Sequence, residues 1–301
     1  MSLRVLHPGT FSLLVDTGRP RSRALGIPVG GPADRAAFML GNLLVGNAPD
    51  LPALEMTLSG PVLLAEIDLA VCVFGAQFAL RLEGEEVRAG QLFTMRAGQT
   101  LRVAGSERGA RGYLCVHGGF TGPTILDSAT AFEPIAAGDR LGCTSSTLGG
   151  RGLPHADVAT LIGETELSGR IRVIAGPQAD WFDTGDFYHQ PYRVAAASNR
   201  MGIRLTGEAM PKPDRELVSE AVSPGAVQIT NEGLPIILGV DGQTIGGYPK
   251  IAHVIRADLG RVGQLRPGQT VAFRQVTMAE AQKIAIDRAR RLREWQTRLR
   301  M

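Results

Sequence analysis

Cysteine is scarce in this chain. Cys72, Cys115 and Cys143 are all it has in 301 residues, odd in number and far apart. No CxxC or Cys/His spacing suggests zinc, and nothing suggests a disulfide framework, so buried or half-buried free thiols in a reducing compartment are expected. The five histidines are scattered and no HExxH occurs, so no metal site is expected. A net charge of +3 is too weak to argue for nucleic acid. No apolar run reaches about 18 residues, which argues against a spanning helix and a membrane role. The amino end lacks the basic segment and apolar core of a signal peptide, so a cytoplasmic protein is expected. There is no GxxxxGK[ST] loop, and no GxGxxG between a strand and a helix, so the chain advertises no nucleotide site of its own. Val116-His117-Gly118-Gly119-Phe120 looks like an esterase oxyanion loop, but the GxSxG nucleophile elbow is missing. A Gly-Gly turn after a buried strand is the better account.

Glycine and proline, by contrast, are plentiful, at 38 and 18 residues beside 44% hydrophobic content. That combination describes a packed protein with many turns and few long helices. Short apolar runs predict strands at Phe11–Val15, repeatedly between Ala53 and Val116, and again from Arg170–Ala175 onward to Val276. The pattern is mainly β. One helix is predicted near 34–46, with Pro32 at its start, Gly46-Asn47 at its end and Ala36, Met39, Leu40, Leu43 and Leu44 on one face. Asp34 falls in its first turn, where the helix dipole favours a carboxylate and where a role in a site is equally open. Thr277-Met278-Ala279-Glu280 matches a capping box and opens a C-terminal helix carrying Ile284, Ile286, Leu292, Trp295 and Leu299. Its arginines read as a solvated or partner-facing surface, since no aromatic platform for nucleic acid accompanies them. The Ser/Gly/Thr-rich stretch 144–154 reads as a linker. The expected organisation is therefore a β module over 1–150, a second over 151–276 and a helix over 277–301. Arg96-Ala97-Gly98-Gln99 and Arg266-Pro267-Gly268-Gln269, with Ala137-Gly138-Asp139 as a weaker copy, read as equivalent tight turns entering strands.

Candidate chemistry lies on loops between the strands, above all from Ser198 to Lys250. Asn199 and Arg200 precede Gly202, and Arg204 shares a strand face with Gly202. Gln228 sits inside an apolar strand, where its amide needs a partner. Asp241, Gln243, Thr244, Tyr248 and Lys250 follow around Gly246-Gly247. Such a set can bind an amide and an anion together. Arginine would fix the anion, Gln and Asn the amide, and Asp241 or Lys250 would move a proton. Arg19, Arg21 and Arg23 beside Asp16 form either an anion-facing loop or a solvated one with a structural ion pair.

These motifs also carry a resemblance. Asn199-Arg200-Met201-Gly202-x-Arg204-Leu205, Ser219-Glu220, Pro224-Gly225-Ala226-Val227-Gln228 and Asp241-x-Gln243-Thr244-x-Gly246-Gly247-Tyr248-Pro249-Lys250 resemble the allophanate hydrolase subunit 2 family. That family includes KipA, the C subunit of bacterial 5-oxoprolinase and part of the carboxyltransferase region of urea carboxylase. Asp16-Thr17-Gly18-Arg19-Pro20, Gly31-Pro32-Ala33-Asp34-Arg35 and Gly41 to Asn47 resemble its opening motifs. The likeness extends to about Val276. The chain departs from the family where a Gly-Ser-Arg-Ser-Thr segment and a glycine-rich loop are usual; here Leu126 to Pro134 stand instead. The resemblance implies two cyclophilin-like β-barrel modules with a few short helices. It implies an enzyme component that opens a cyclic amide, 5-oxoproline to glutamate, beside a KipI-like subunit 1 protein and a LamB/YcsF-type partner, with ATP used through the complex. It leaves two alternatives. One is a carboxyltransferase component acting on urea or a similar amide, with biotin arriving on another protein because no Met-Lys-Met attachment sequence is present. The other is a non-catalytic, KipA-like regulator that binds a kinase inhibitor. A site for a cyclic amide or urea fits the polar set read above, in which Asp241, Lys250 and Asp34 are the catalytic candidates. Arg19, Asn199, Arg200, Arg204, Gln228, Gln243, Thr244 and Tyr248 are substrate-binding candidates.

Overall fold

A computed structural model describes residues 2–148 and 170–300; the later part of the 144–154 stretch lies outside the described residues. The protein is mainly β and divides into two compact units. The first comprises 1–19, 30–166 and 292–301, the second 20–29 and 167–291.

In the first unit, a seven-stranded sheet runs in the order Phe120–Thr121, Arg140–Cys143, Ser2–His7, Val62–Ala65, Thr100–Ser106, Phe78–Leu82, Glu85–Val87. A five-stranded antiparallel sheet runs Phe11–Val15, Ala53–Thr57, Arg111–Val116, Leu69–Gly75, Leu92–Met95. Leu3, Val5, Leu63 and Leu101 of the first sheet share one core with Leu54, Met56, Val71, Val73 and Leu114 of the second. The other face of the five-stranded sheet carries Leu13, Val15, Cys72, Phe74 and Cys115. It is covered by Phe38, Leu40, Leu43 and Leu44 of the Arg35–Leu44 helix and by Trp295. Both faces of the Leu69–Gly75 strand are thus buried, which is why its sequence reads as an unbroken apolar run rather than an alternation. All three cysteines are free and buried. Burial pushes the Cys72 thiol up to about 12 and the Cys115 thiol well above its ordinary value.

In the second unit, one eight-stranded sheet runs Thr270–Val271, Tyr192–Val194, Gly202–Thr206, Pro235–Leu238, Ala226–Ile229, Lys250–Val254, Ile171–Ala175, Phe273–Gln275. Its two edge strands, Thr270–Val271 and Phe273–Gln275, are separated in sequence by Ala272 alone. The sheet must therefore curl until its edges nearly meet. The result is a nearly closed barrel filled by Val173, Ile203, Val227, Ile237, Val254 and Phe273. A short two-stranded ribbon, Glu220–Ala221 with Ile245–Gly246, stands apart from this sheet.

The three repeated turns are geometrically the same. In each, the first residue's N–H is bonded by the side chain three positions on: Arg96 by Gln99, Arg266 by Gln269 and Ala136 by Asp139. Each central glycine, Gly98, Gly268 and Gly138, has positive φ and donates its N–H to a carbonyl of a neighbouring segment, at 2.8 Å in all three.

The predicted helix is observed as Arg35–Leu44, capped by the Asp34 carboxylate on the Ala37 N–H. The capping box is also present: Thr277 Oγ1 accepts from the Glu280 N–H, and Glu280 reaches back to the Thr277 N–H. Thr277→Ala is expected to cost about 1 kcal/mol, read as a lower denaturation midpoint. In the Met278–Arg300 helix Ile284, Leu292, Trp295 and Leu299 pack inward, whereas Ile286 is exposed. One strand goes unassigned in the sequence and one expectation needs correction. Ser2–His7 is a strand that the sequence pattern does not single out. The strands do not run unbroken to Val276 either, because 256–263 is helical. There the buried Asp258 carboxylate accepts hydrogen bonds from Arg172 and Arg261, a tertiary arrangement that local periodicity does not encode. Among the described residues no helix is long and apolar enough to cross a membrane.

Candidate functional site

Strand register in the second unit decides which candidates share a surface. Arg204 pairs with Ile236, Ile236 with Gln228, and Gln228 with Lys250. Partners in register point to the same side of a sheet. The neighbouring positions Ile203, Ile237 and Val227 fill the barrel, so this row faces outward. Strand spacing of about 4.8 Å puts Arg204 and Gln228 about 10 Å apart at Cα, within reach of one small molecule held between their side chains. A bulge beside Lys250 lets Ile251 and Ala252 both enter the barrel and leaves Lys250 and His253 on the outer face.

The ribbon lies against this row. The Lys250 ammonium, almost fully buried, is ion-paired with Glu220. Gln178 completes the arrangement. Its side-chain N–H donates to the same Glu220 oxygen at 3.0 Å, and its side-chain oxygen accepts the Lys250 backbone N–H at 3.0 Å. Hydrogen bonds from Lys250 and then Gln178 hold the Glu220 carboxyl below the ordinary carboxylate range. Gln228 is 1% exposed, and its amide donates to the Tyr248 carbonyl at 3.4 Å. Gly246, opposite Glu220 in the ribbon, has no side chain for a physical reason. A Cβ there would lie 2.5 Å from Gln243 Nε2 and 2.9 Å from Gln228 Nε2. Two amide groups therefore converge on one glycine. Gly246→Ala is expected to keep the fold, since side-chain ends can swing aside, but to raise the KM for a small ligand about tenfold or more by displacing both amides. Unchanged binding by titration calorimetry would show that the amides do not face the ligand.

The remaining candidates have structural partners of their own. Arg200 forms a two-point pair with Asp241, Nε to Oδ2 at 2.6 Å and Nη2 to Oδ1 at 2.9 Å, tying two loops together. Asn199 Oδ1 accepts the Met201 and Gly202 N–H groups of its own turn. Thr244 is buried, and its carbonyl extends the ribbon by accepting the Val222 N–H. Tyr248 is partly exposed and contributes its carbonyl to Gln228. Arg204 is exposed, and its guanidinium has no partner among the described residues. Asp34 and Arg19 belong to the first unit. Asp34 is fully buried at the helix start, its N–H bonded to the Tyr113 hydroxyl. Arg19 is also buried, bonded to the Ile125 and Thr130 carbonyls and stacked on Phe132.

Sequence reasoning does not assign Gln178, Glu220 or Gly246. Ser219-Glu220 is visible as a motif and Gly176-Pro177-Gln178 as a turn, but only register and tertiary contact tie them to Lys250. A cavity of about 500 Å³ in the first unit, lined by Leu14, Phe120, Phe132 and Ile135 with Asp139 and Arg140 among its polar residues, is mainly apolar. The outward polar row is the better candidate. Among the described residues no cluster of His, Cys, Asp and Glu could hold a metal ion.

The outer face of this nearly closed barrel carries Arg204, Gln228 and Lys250 in one register row, and that row is the candidate site. Comparison with known proteins gives the chain a family: the model of the "carboxyltransferase domain, subdomain A and B" matches residues 25–275, and the chain belongs to that family. It is 35% identical over 297 residues to the C subunit of 5-oxoprolinase from Escherichia coli (strain K12), covering 96% of both chains. It is 29% identical to the urea amidolyase of Saccharomyces cerevisiae over 95% of this chain, but spans only 17% of that protein. The solved urea carboxylase of Kluyveromyces lactis superposes with a TM-score of 0.87 at 28% identity, over 98% of this chain and 29% of that one.

Proposed function

We propose that this chain is the C subunit of a 5-oxoprolinase-type complex, opening a cyclic amide to an amino acid with ATP used through its partners. One observation carries the reading: Arg204, Gln228 and Lys250 lie in register on one outward sheet face beside the Gly246 ribbon. Arg204 offers an unpaired guanidinium for a carboxylate. Gln228 and Gln243 offer amide groups to a planar lactam. Lys250, held as an ammonium beside Glu220, stabilises negative charge developing on the carbonyl oxygen. The near full-length match to the Escherichia coli protein supports the same assignment. ATP would supply activation of the amide. The sequence contains no phosphate loop of the Walker type, so the residues that hold ATP are assigned to a KipI-like and a LamB/YcsF-type partner. Co-expression with both and measurement of glutamate released from 5-oxoproline tests the reading; no product with all subunits present overturns it.

A second reading rests on the family match and the urea amidolyase likeness: a carboxyltransferase component receiving carboxyl from a biotinylated carrier. The amides converging on Gly246 suit urea as well as a lactam. ATP-dependent carboxylation of urea in the presence of a biotinylated carrier, with no glutamate formed from 5-oxoproline, would select it.

A further inference from the structure

The segment that carries Glu220 to Lys250 makes a second contact three residues later. Ser223 Oγ lies 2.9 Å from His253 Nε2, and His253 Nδ1 lies 2.9 Å from the Val254 carbonyl oxygen. A carbonyl can only accept, so Nδ1 carries the proton of the neutral ring. Nε2 is then the lone-pair nitrogen, and the Ser223 hydroxyl donates to it. This is the polarity a hydroxyl needs to be relieved of its proton. Both residues are half-buried rather than sealed in the core.

Their placement gives the pair a use. His253 pairs with Ala226 in register, one row along from the Gln228–Lys250 pair. It therefore shares the outward face with Arg204, Gln228 and Lys250. Ile236 of the first row packs with Ala226 of the second, and with Leu238 and Val222, in a small buried apolar cluster that ties the two rows together. Gly225 packs closely beside the ring and helps fix its position: a Cβ there would lie 2.7 Å from Leu259 Cδ2 and 3.1 Å from His253 Cε1.

We propose that Ser223 and His253 form a proton relay serving the Lys250 site, an inference that rests on the amide-opening reading above. As water adds to the amide carbonyl carbon, the new C–O bond forms and the carbonyl π pair moves onto oxygen. The water's proton passes to Ser223 Oγ while the Ser223 proton passes to His253 Nε2. When the C–N bond breaks, the leaving nitrogen takes that proton back along the same path. The oxyanion reforms the carbonyl, and the ring returns to its neutral state. The substrate class is a small cyclic amide held on the outward face that Lys250 and His253 share.

The test uses the complex assembled with its partner subunits. Ser223→Ala and His253→Gln are expected to lower kcat about a hundredfold while changing the KM for 5-oxoproline little, whereas Arg204→Ala raises KM. Nitrogen NMR of His253 in the isolated chain is expected to show the Nδ1-protonated tautomer, lost or scrambled in Ser223→Ala. If His253→Gln fails to fold, Ser223→Ala, which removes one oxygen from a half-buried position, carries the kinetic test. A kcat within about twofold of the unaltered complex, or an Nε2-protonated ring, overturns the relay. An unaltered complex without activity on any cyclic amide overturns the amide-opening reading and the relay's proposed use with it. The NMR result still decides whether the hydroxyl is activated.

Discussion

Lys250→Met is expected to abolish turnover of the assembled complex, by roughly a hundredfold to ten-thousandfold in kcat, while leaving assembly intact. The argument is geometric. The ammonium is nearly buried and points outward from the barrel to Glu220, a residue that is itself 43% exposed. Removing the cation lets the Glu220 carboxylate turn to water, so no uncompensated buried charge is left behind and the fold survives. What goes is the cation fixed beside Gln228 in the register row. Glu220→Gln is expected to act more mildly, because Gln178 and the backbone still position Lys250. Steady-state kinetics on both variants, with circular dichroism as a control for folding, checks this. Full activity of Lys250→Met would remove the lysine from the chemistry.

Arg111→Met is expected to destabilise the first unit by about 3–5 kcal/mol, the usual penalty for breaking a buried ion pair from one side. Arg111 and Glu55 are 4% and 1% exposed and lie 3.5 Å apart. Glu55 also accepts the Tyr113 hydroxyl and the Ala33 N–H, both at 2.8 Å, and Tyr113 in turn receives the Asp34 N–H. Burial, and then the charges on Glu55 and Asp34, push the Tyr113 phenol well above its ordinary value, so it serves as a neutral donor. The network sets the entry to the first helix. The chain's two tryptophans make the measurement clean, because Trp295 packs in the first unit's core and Trp181 lies in the second unit. In a Trp181→Phe background, Trp295 fluorescence during urea unfolding reports on this unit. A loss below about 1 kcal/mol would mean that Tyr113 and Ala33 alone satisfy Glu55.

What the sequence discloses follows the range of the interactions involved. Local devices are readable: the Arg35–Leu44 helix, the Thr277/Glu280 capping box and the repeated turns are each fixed within a few residues. The placement of Arg204 on the same strand face as Gly202 follows from a period of two. Lateral facts are not readable. That Gln228 meets Lys250 depends on register between strands some 20 residues apart and on a bulge that re-aims Lys250 and His253. That Gln178 bonds both Glu220 and the Lys250 backbone depends on segments 42 and 72 residues apart. The short helix at 259–263 escapes for the same reason, since Asp258 organises it through Arg172. Arg200 and Asp241 stand out as charged loop residues, but sequence does not reveal that they are bonded to each other.

The order in which the polypeptide is made has a bearing on its assembly. Trp295, Leu292 and Leu299 complete a core whose other members lie between Phe11 and Ala131. At about 5–20 residues per second, the ribosome supplies those last side chains tens of seconds or so after the earliest sheet residues have emerged. The part of that sheet face left open by the Arg35–Leu44 helix must wait that long for its cover. Messages truncated near codon 290 are therefore expected to yield a product that is sticky rather than merely shorter, and a chaperone that shields apolar surface would find its client in that interval.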